Sequence, residues 1–477
     1  MRVFLETFGC QMNKLDSELV LGRLRAAGHE LVGRAAEADV VLYNTCSVRD
    51  HAEAKVAGRL GEQTRRKRSQ DRPLIVGVLG CMAQRLGTAL TETFPGVDIV
   101  CGPSEIDRLV ELIDQAAARH TPRVAVAPPR PGRPREADAD ANRRLEALDL
   151  SRPAGGNGAQ AFVRIQRGCD NFCTYCIVPY VRGSEQSRDP DAIVEEIRRL
   201  AGGGVREVTL LGQTVSHYRY SDGGRTTLLA DLLERIEPIA GIERVRFVTS
   251  YPGRFDRRIL QAMRDLPKVC EYLHVPAQSG SDRMLAAMRR RYTRAEYLEL
   301  IDEARALVPG VAIAGDFIVG FPGETEEDFD ASADLIRRVG YKNCFIFKYS
   351  PREGTAAAAS MADDVPAAVK KRRNNALLDV QNAVSLAHHE AMIGTTRQVL
   401  VEGVSPRSKK QPVVPPTGQL QLQGRTRGDH IVAFNGPAAC IGQLVNVRIT
   451  SATALAMRGQ RVENGRPFDF AQGRLEA

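Results

Sequence analysis

The chain has 477 residues, with 66 Lys and Arg against 58 Asp and Glu for a net charge of +8, and 43% of its residues are apolar. That balance excludes a disordered chain, and the length suits roughly three domains of about 150 residues each. No apolar run reaches the roughly 18 residues that span a bilayer, and Met1-Arg2-Val3-Phe4-Leu5 lacks a charged-then-apolar leader, so a cytoplasmic location without membrane contact is expected. In a reducing compartment the ten cysteines are expected to serve as thiols or metal ligands, not disulfides. The positive balance is compatible with a nucleic-acid partner.

Over residues 1–118, apolar runs at Val3–Thr7, Val40–Asn44, Leu74–Leu79 and Val97–Val100 alternate with helical stretches, which predicts an α/β domain with a Rossmann-like parallel sheet. Asp16 or Ser17 is expected to cap a helix that carries Leu19, Val20 and Leu24 on one face and ends near Gly28. Residues 119–158 turn to Pro, Arg, Ala, Asp and Gly, with Pro128-Pro129-Arg130-Pro131 and Gly155-Gly156-Asn157-Gly158, and predict a mobile linker. Residues 159–390 hold strand candidates at Ala161–Gln166, Glu207–Leu211, Val245–Thr249, Tyr272–Val275, Ala312–Val319 and Cys344–Tyr349. Helix starts between them are marked by Asp189-Pro190, Thr293 with Glu296, and Thr325 with Asp328. A partial (β/α)6 barrel is expected, with a doubly wound sheet left open; either places function at the carboxyl ends of the strands. After a helix from Pro366 to about Met392, runs at Gln398–Glu402, Gln419–Gln423, His430–Phe434 and Leu444–Ile449 predict a small β-barrel over 391–456, followed by a flexible tail, 457–477.

Cys169, Cys173 and Cys176 stand at C-x3-C-x2-C spacing just past the first barrel strand. Three thiolates on one tight loop suit a metal centre. Zinc normally closes with four protein ligands, so it would need a distant partner here, whereas a [4Fe-4S] cluster accepts an outside ligand on its fourth iron. A second set, Cys10, Cys46 and Cys81, follows three different strands of one sheet, whose carboxyl ends share an edge. Spacing alone leaves open a shared metal site and separate buried thiols. Cys101 follows a strand of that sheet too and reads as a core residue; Cys270, Cys344 and Cys440 read as buried thiols.

The run Cys169-Asp170-Asn171-Phe172-Cys173-Thr174-Tyr175-Cys176 resembles the radical SAM superfamily. Glu6-Thr7-Phe8-Gly9-Cys10-Gln11-Met12-Asn13, Asn44-Thr45-Cys46-Ser47-Val48-Arg49 and Gly80-Cys81 resemble the amino-terminal domain of the methylthiotransferase family. Gly424-Arg425-Thr426-Arg427-Gly428-Asp429-His430 resembles a TRAM domain, in which Gly-flanked arginines approach RNA phosphates. The resemblance implies two [4Fe-4S] clusters, one on Cys169, Cys173 and Cys176 and an auxiliary one on Cys10, Cys46 and Cys81, with S-adenosylmethionine (SAM) as methyl donor and radical source. Gly212, Gln213, Ser250, Gln278 and Gly320 are expected to orient SAM. Gln213 is followed by Thr214 where the family commonly has Asn, and His274 reads equally as structural or as an active-site contact.

Within the family, Gly9–Asn13, Asp16-Ser17-Glu18 and Ile177–Gly183 are similar to the MiaB-type subfamily. That similarity implies addition of a methylthio group to carbon 2 of N6-isopentenyl(dimethylallyl)adenosine in a tRNA anticodon loop, with an electron donor and a sulfur or iron-sulfur carrier as further partners. The neighbouring reading is the threonylcarbamoyladenosine methylthiotransferase; a reading of another class is a non-catalytic iron-sulfur RNA-binding redox sensor. Arg65-Arg66-Lys67-Arg68 is expected to be a solvated helix end.

Overall fold

A parallel strand buried on both faces reads as an almost unbroken apolar run, and Val40–Thr45 and Ile75–Gly80 are buried at every position. In the computed structural model, which describes residues 1–47, 50–69, 73–119, 121–127, 136–152, 158–406 and 419–462, they form the centre of a six-stranded parallel sheet. Its strands are β1 (Arg2–Thr7), β2 (Glu30–Leu31), β3 (Val40–Thr45), β4 (Ile75–Gly80), β5 (Ile99–Cys101) and β6 (Arg123–Ala125), in the order β2-β1-β3-β4-β5-β6. Leu15, Leu19 and Leu24 of the helix Gln11–Ala26 join Leu112 and Ile113 of the helix Leu109–Arg119 on one face; Val56, Leu60, Met82 and Leu90 cover the other.

Three expectations are corrected in the flanking segments. The first helix starts at Gln11 with Cys10 at its cap position, so Asp16 and Ser17 lie inside it and are buried. The stretch expected as a linker contributes β6 to the sheet and the helix Glu136–Leu150, whose Leu145 and Leu148 enter the core; Pro128–Pro131 and Gly155–Asn157 lie outside the described residues. Half of the Arg-rich helix end is solvated as expected, at the exposed Arg65 and Arg68, and half is bound to its own fold: Arg66 Nη1 donates to Ala35 O at 2.5 Å, and Lys67 pairs with Asp98 at 2.5 Å.

The central strands are β7 (Gln160–Arg164), β10 (Glu207–Leu211), β13 (Arg244–Phe247), β14 (Tyr272–His274), β15 (Ala312–Val319) and β16 (Asn343–Lys348), with short ribbons β8 (Gln166–Arg167) with β9 (Gln186–Ser187) and β11 (Arg219–Asp222) with β12 (Arg225–Leu228) between them. They run parallel in two arcs, β7-β10-β13 and β14-β15-β16, joined where Cys270 N–H donates to Val245 O at 2.9 Å and Ser250 N–H to His274 O at 3.0 Å. This is the expected partial barrel. Alternation sends Val163, Val208, Val245, Phe317 and Cys344 outward into the helix-packed core, and places Phe162, Leu211, Arg244, Arg246, His274, Asp316 and Phe345 on the inner wall. The helix starts follow their sequence signals: Asp189 caps at Asp191 N–H, and Thr293/Glu296 and Thr325/Asp328 form reciprocal capping boxes.

At the carboxyl end β17 (Thr396–Val404), β18 (Leu420–Arg425), β19 (Ile431–Gly436), β20 (Leu444–Ala452) and β21 (Met457–Arg461) close a barrel in the order β17-β18-β19-β21-β20. The expected tail therefore begins too early: its first residues are the closing strand, with Met457 buried in the small core. Residues 463–477 and 407–418 lie outside the described residues, the latter taking most of the Pro412–Leu422 loop with them.

The loop that resembled an RNA-contacting segment docks this barrel onto the central one. Arg427 pairs with Glu271 at 2.7 Å and Arg425 with Glu402 at 2.8 Å and Asp429 at 2.9 Å. From the inner wall, Arg244 Nη1 donates to Arg425 O at 2.9 Å, Arg246 Nη2 to Thr426 O at 2.5 Å, and Lys342 pairs with Asp429 at 2.8 Å. The cations converge on main-chain carbonyls of this turn, of which Thr426 O also accepts from Asp429 N–H at 3.0 Å, and the layer seals the floor of the central barrel.

Beside it, His389 Nδ1 contacts Thr453 O at 2.7 Å, which fixes its proton there. Its Nε2 then accepts from His430 Nδ1 at 3.0 Å, so the His389 ring is neutral. Burial lowers the pKa of His388 and His389, and burial together with Lys342 brings His430 down to about 2; Arg305 and Arg397 act on His388 in the same sense, and Asp429 opposes for His430. A histidine whose folded pKa is depressed binds its proton more readily when unfolded. Its contribution is therefore whole above about pH 6.5 and declines as pH falls below that value. Amide exchange in β17–β21 is expected to accelerate between pH 7 and 5 beyond the intrinsic pH effect, and His430→Asn to flatten that excess.

Candidate functional site

The sheet register brings the first thiol triplet together. Thr7 pairs with Asn44 and Thr45 with Gly80, so Cys10, Cys46 and Cys81 all leave the same edge of three adjacent strands. Side-chain amides lock the three exits: Asn13 Nδ2 donates to Asn44 Oδ1 and Thr45 O, both at 3.0 Å, and Asn44 Nδ2 donates to Asn13 O and Ser17 Oγ, both at 2.9 Å. Gly80 is required at its turn, because its φ is +91° and a Cβ there would stand 2.5 Å from Asn44 Oδ1 and Thr45 O. A hydrogen bond with Cys46 pulls the Cys10 thiol down to about 6 against its burial, with Arg182 adding to the effect. Desolvation raises Cys81 in spite of the same arginine.

The second triplet sits on the loop after β8. Gly168 has φ +72°, and a Cβ there would collide with the Ser184 carbonyl, which fixes how the loop leaves the strand. Cys169 N–H donates to Gly183 O at 3.2 Å, and its Sγ lies 3.4 Å from both Thr214 Oγ1 and Asn171 Nδ2. Arg290 Nη1 is 3.7 Å from Cys173 Sγ, while its Nη2 is tied to Pro276 O at 2.8 Å. Burial raises the thiols of Cys169 and Cys176. Burial with the neighbouring Asp170 pushes Glu185 up to about 7. Cys101 is fully buried in β5 with its thiol raised by desolvation, and Cys270, Cys344 and Cys440 are buried as expected.

Both triplets meet at one short helix, Val178–Arg182, directly after Cys176. Cys81 packs with its Ile177 and Val181 neighbours, and Arg182 Nε donates to Cys81 Sγ at 3.3 Å. Asp16, the residue expected as a cap, lies 2.8 Å from Arg182 and 3.7 Å from Arg164; Arg164 continues to Asp149 at 2.5 Å, and Arg188 to Glu196 at 2.7 Å. Burial opposes the charge of Arg182, but Asp16 and the sulfurs of Cys81 and Cys10 outweigh it and raise its pKa. Arg167 is the reverse case, lowered by burial and by Arg164, with both Nη atoms buried and lacking hydrogen-bond partners. Sequence reasoning missed this chain of charges; four arginines between strand ends and helices were its only visible trace.

The donor chemistry of the two triplets fits iron-sulfur clusters. Among the described residues no three Cys, His, Asp or Glu side chains close on the position of a single ion. A four-iron cube is wider than one ion, so its thiolates hold it from farther apart, and cations beside Cys81, Cys10 and Cys173 offset their negative charge. The barrel mouth also holds unsatisfied polar atoms. Gln213 Oε1, Ser250 Oγ, Gln166 Nε2 and His274 Nε2 are buried without hydrogen-bond partners, as expected where a polar ligand completes a site. Gln278, at φ +73°, is stitched to β15 through Asp316 O and the Ile318 N–H. Gly212 packs on Gln166, whereas Gly320 binds Glu324 through its N–H at 2.6 Å and packs on Lys370, a structural reason for that glycine. His274 Nδ1 accepts from Thr249 N–H at 3.1 Å, leaving its proton on Nε2, 3.5 Å from Asp316.

Comparison with known proteins agrees with this arrangement. Residues 163–336 match the radical SAM superfamily and residues 2–102 match the uncharacterized protein family UPF0004, which makes iron-sulfur and SAM the cofactor classes of the central barrel. The radical SAM methyltransferase TsrM from Kitasatospora setae, solved with cobalamin and a [4Fe-4S] cluster, shares the fold with a TM-score of 0.50 at 17% identity over 75% of this chain and 77% of that one. Among the described residues no helix is long and apolar enough to cross a membrane. The tRNA-2-methylthio-N(6)-dimethylallyladenosine synthase of Rhodopirellula baltica is 44% identical, covering 96% of this chain and 95% of its own. Its namesake from Moorella thermoacetica is 43% identical over 96% and 97%. With that identity holding over 96% of its length, the chain belongs to the family of the tRNA-2-methylthio-N(6)-dimethylallyladenosine synthases.

Proposed function

We propose that the chain attaches a methylthio group to carbon 2 of N6-isopentenyl(dimethylallyl)adenosine in a tRNA anticodon loop, with SAM and two [4Fe-4S] clusters, one on Cys169, Cys173 and Cys176 and one on Cys10, Cys46 and Cys81. The observation that carries this reading is the joining of the two thiol triplets through Arg182 and the Cys81–Ile177–Val181 contact. When bound, the clusters and SAM supply the one-electron chemistry and the sulfur that an adenine carbon 2, neither acidic nor electrophilic, requires. The chain's own residues do the rest. Arg182 and Arg290 hold the sulfurs of Cys81 and Cys173 in place, the orphaned atoms of Gln213 and Ser250 receive SAM's polar groups, and the packed sheet edge keeps bulk water from the thiols. The unpaired loop nucleotide leaves its stack at modest cost to reach them. An electron donor and a sulfur or iron-sulfur carrier are required for repeated turnover.

Full-length protein, reconstituted without oxygen and given SAM, a reductant and tRNA bearing either isopentenyladenosine or threonylcarbamoyladenosine, tests the reading by nucleoside mass spectrometry. Methylthiolation of the isopentenylated nucleoside alone is expected. Product on the threonylcarbamoylated one identifies the neighbouring activity, and absence of SAM turnover with tRNA present favours the redox sensor.

A further inference from the structure

Each thiol triplet has one buried arginine against a cysteine sulfur, and the two arginines differ in what neutralises them. Arg182, beside Cys81, is paired with the Asp16 carboxylate at 2.8 Å. Arg290, beside Cys173, has no carboxylate partner among the described residues: Nη1 donates to Cys173 Sγ at 3.7 Å, Nη2 to Pro276 O at 2.8 Å and Nε to Tyr292 Oη at 2.9 Å. The acids of the adjoining groove, Asp282 and Glu296, are held at helix starts, accepting from Arg294 N–H at 2.5 Å and Thr293 N–H at 2.7 Å. Arg290 is the middle of three successive arginines and the only buried one, since Arg289 and Arg291 are exposed. The chain turns at Arg289, at φ +56°, and the next side chain runs inward between two buried rings, with its Cζ 4.5 Å from the Tyr251 ring centre and 5.0 Å from that of Tyr292. Both hydroxyls are engaged: Tyr251 Oη accepts from Arg291 N–H at 3.0 Å, and Tyr292 Oη donates to Ala277 O at 2.7 Å. A guanidinium held in this way stays at the sulfur, and the aromatic faces attract it without cancelling its charge.

We infer that Arg290 sets the reduction potential of the four-iron centre on Cys169, Cys173 and Cys176, raising it so that a low-potential one-electron donor can reduce that centre. This rests on the proposed function and adds to it the group that tunes the site. In that step the donor loses one electron and the centre gains it; no bond or proton moves. The reduced centre carries one more negative charge than the oxidised one. A fixed cation at the sulfur stabilises the more negative state, and does so more strongly where burial keeps water from screening it. Beside Cys81 the Asp16 carboxylate offsets the same effect of Arg182, so the uncancelled charge belongs to the Cys173 side alone.

A redox titration followed by electron paramagnetic resonance on full-length, reconstituted protein tests this, with Cys10→Ala assigning the signals of the two centres. Arg290→Gln and Arg290→Met remove the charge, and Arg290→Lys keeps it. At the parent's midpoint potential the ratio of reduced to oxidised centre is expected to fall at least about tenfold in the neutral variants, a displacement of about 59 mV or more to lower potential. Arg290→Lys is expected to stay close to the parent, and the centre on Cys10, Cys46 and Cys81 not to move in any of the three. Cleavage of SAM by the neutral variants is expected to slow with dithionite and to recover with a more strongly reducing titanium(III) complex, which a merely structural defect would not do. Equal midpoints in the parent and the neutral variants overturn the inference, as does an equal displacement in Arg290→Lys, which traces the effect to the lost hydrogen bonds. If neither neutral variant fills that site with iron, the arginine serves assembly and the inference falls. Each of these results leaves the proposed function standing, whereas a parent without a four-iron centre on the Cys169 loop overturns both.

Discussion

Arg182→Met is expected to lower the thermal midpoint of the protein more than any exposed substitution, because it removes the nearer of the two cations beside the buried Asp16 carboxylate and leaves only Arg164, 3.7 Å away. The two side chains are 3% and 1% exposed and stand 2.8 Å apart. Removing one member of such a pair typically costs about 3–5 kcal/mol, whereas breaking a surface pair costs about 1 kcal/mol or less. The loss is mostly the stranded charge, so adding Asp16→Asn to Arg182→Met should restore part of it; a melting comparison of the four proteins measures the coupling. Equal midpoints for Arg182→Met and the parent would show that the two domains are held by apolar packing alone. Because the same guanidinium touches Cys81, the variant is also expected to take up iron less completely in the amino-terminal site while the Cys169 loop fills normally.

Cys169→Ala and Cys10→Ala are expected to fail in different ways, and the difference carries the division of labour between the two thiol sets. With Cys169 gone, reductive cleavage of SAM falls to the level of a protein-free control and no modified nucleoside forms. With Cys10 gone, cleavage of SAM with tRNA and reductant persists, because the Cys169 loop is built by Gly168, Thr214 and Arg290 without help from β1. The methylthio product is nevertheless lost. Deoxyadenosine and nucleoside mass spectrometry on the same reaction separate the two outcomes. Loss of SAM cleavage in folded Cys10→Ala would mean that the triplets act as a single unit.

The sequence carried the strands and the six cysteines far better than the charges between them. Parallel strands buried on both faces are long apolar runs, and caps such as Asp189 before Pro190 or Thr293 with Glu296 satisfy local donors, so both can be read within a few residues. Asp16 shows the limit. As a polar residue near a helix start it reads as a cap, but its partners are Arg182 and Arg164, and only the docking of the sheet onto the barrel brings them near. Arg425 and Arg427 misled in the same way: a Gly-flanked arginine has the same local signature whether it meets a phosphate or Glu271. β21 reads as tail in the sequence because a strand closing a small barrel shows half its residues to water, and its Gly and Arg positions hide the single buried Met457.

Iron counting with Mössbauer spectroscopy on oxygen-free, reconstituted protein, with Cys10→Ala and Cys169→Ala beside the parent, decides whether each thiol triplet holds a cluster of its own. This division of the six cysteines predicts two four-iron centres in the parent and one, of different spectroscopic character, in each variant. A parent that binds only zinc, or that fills a single iron centre which both substitutions abolish, would contradict it.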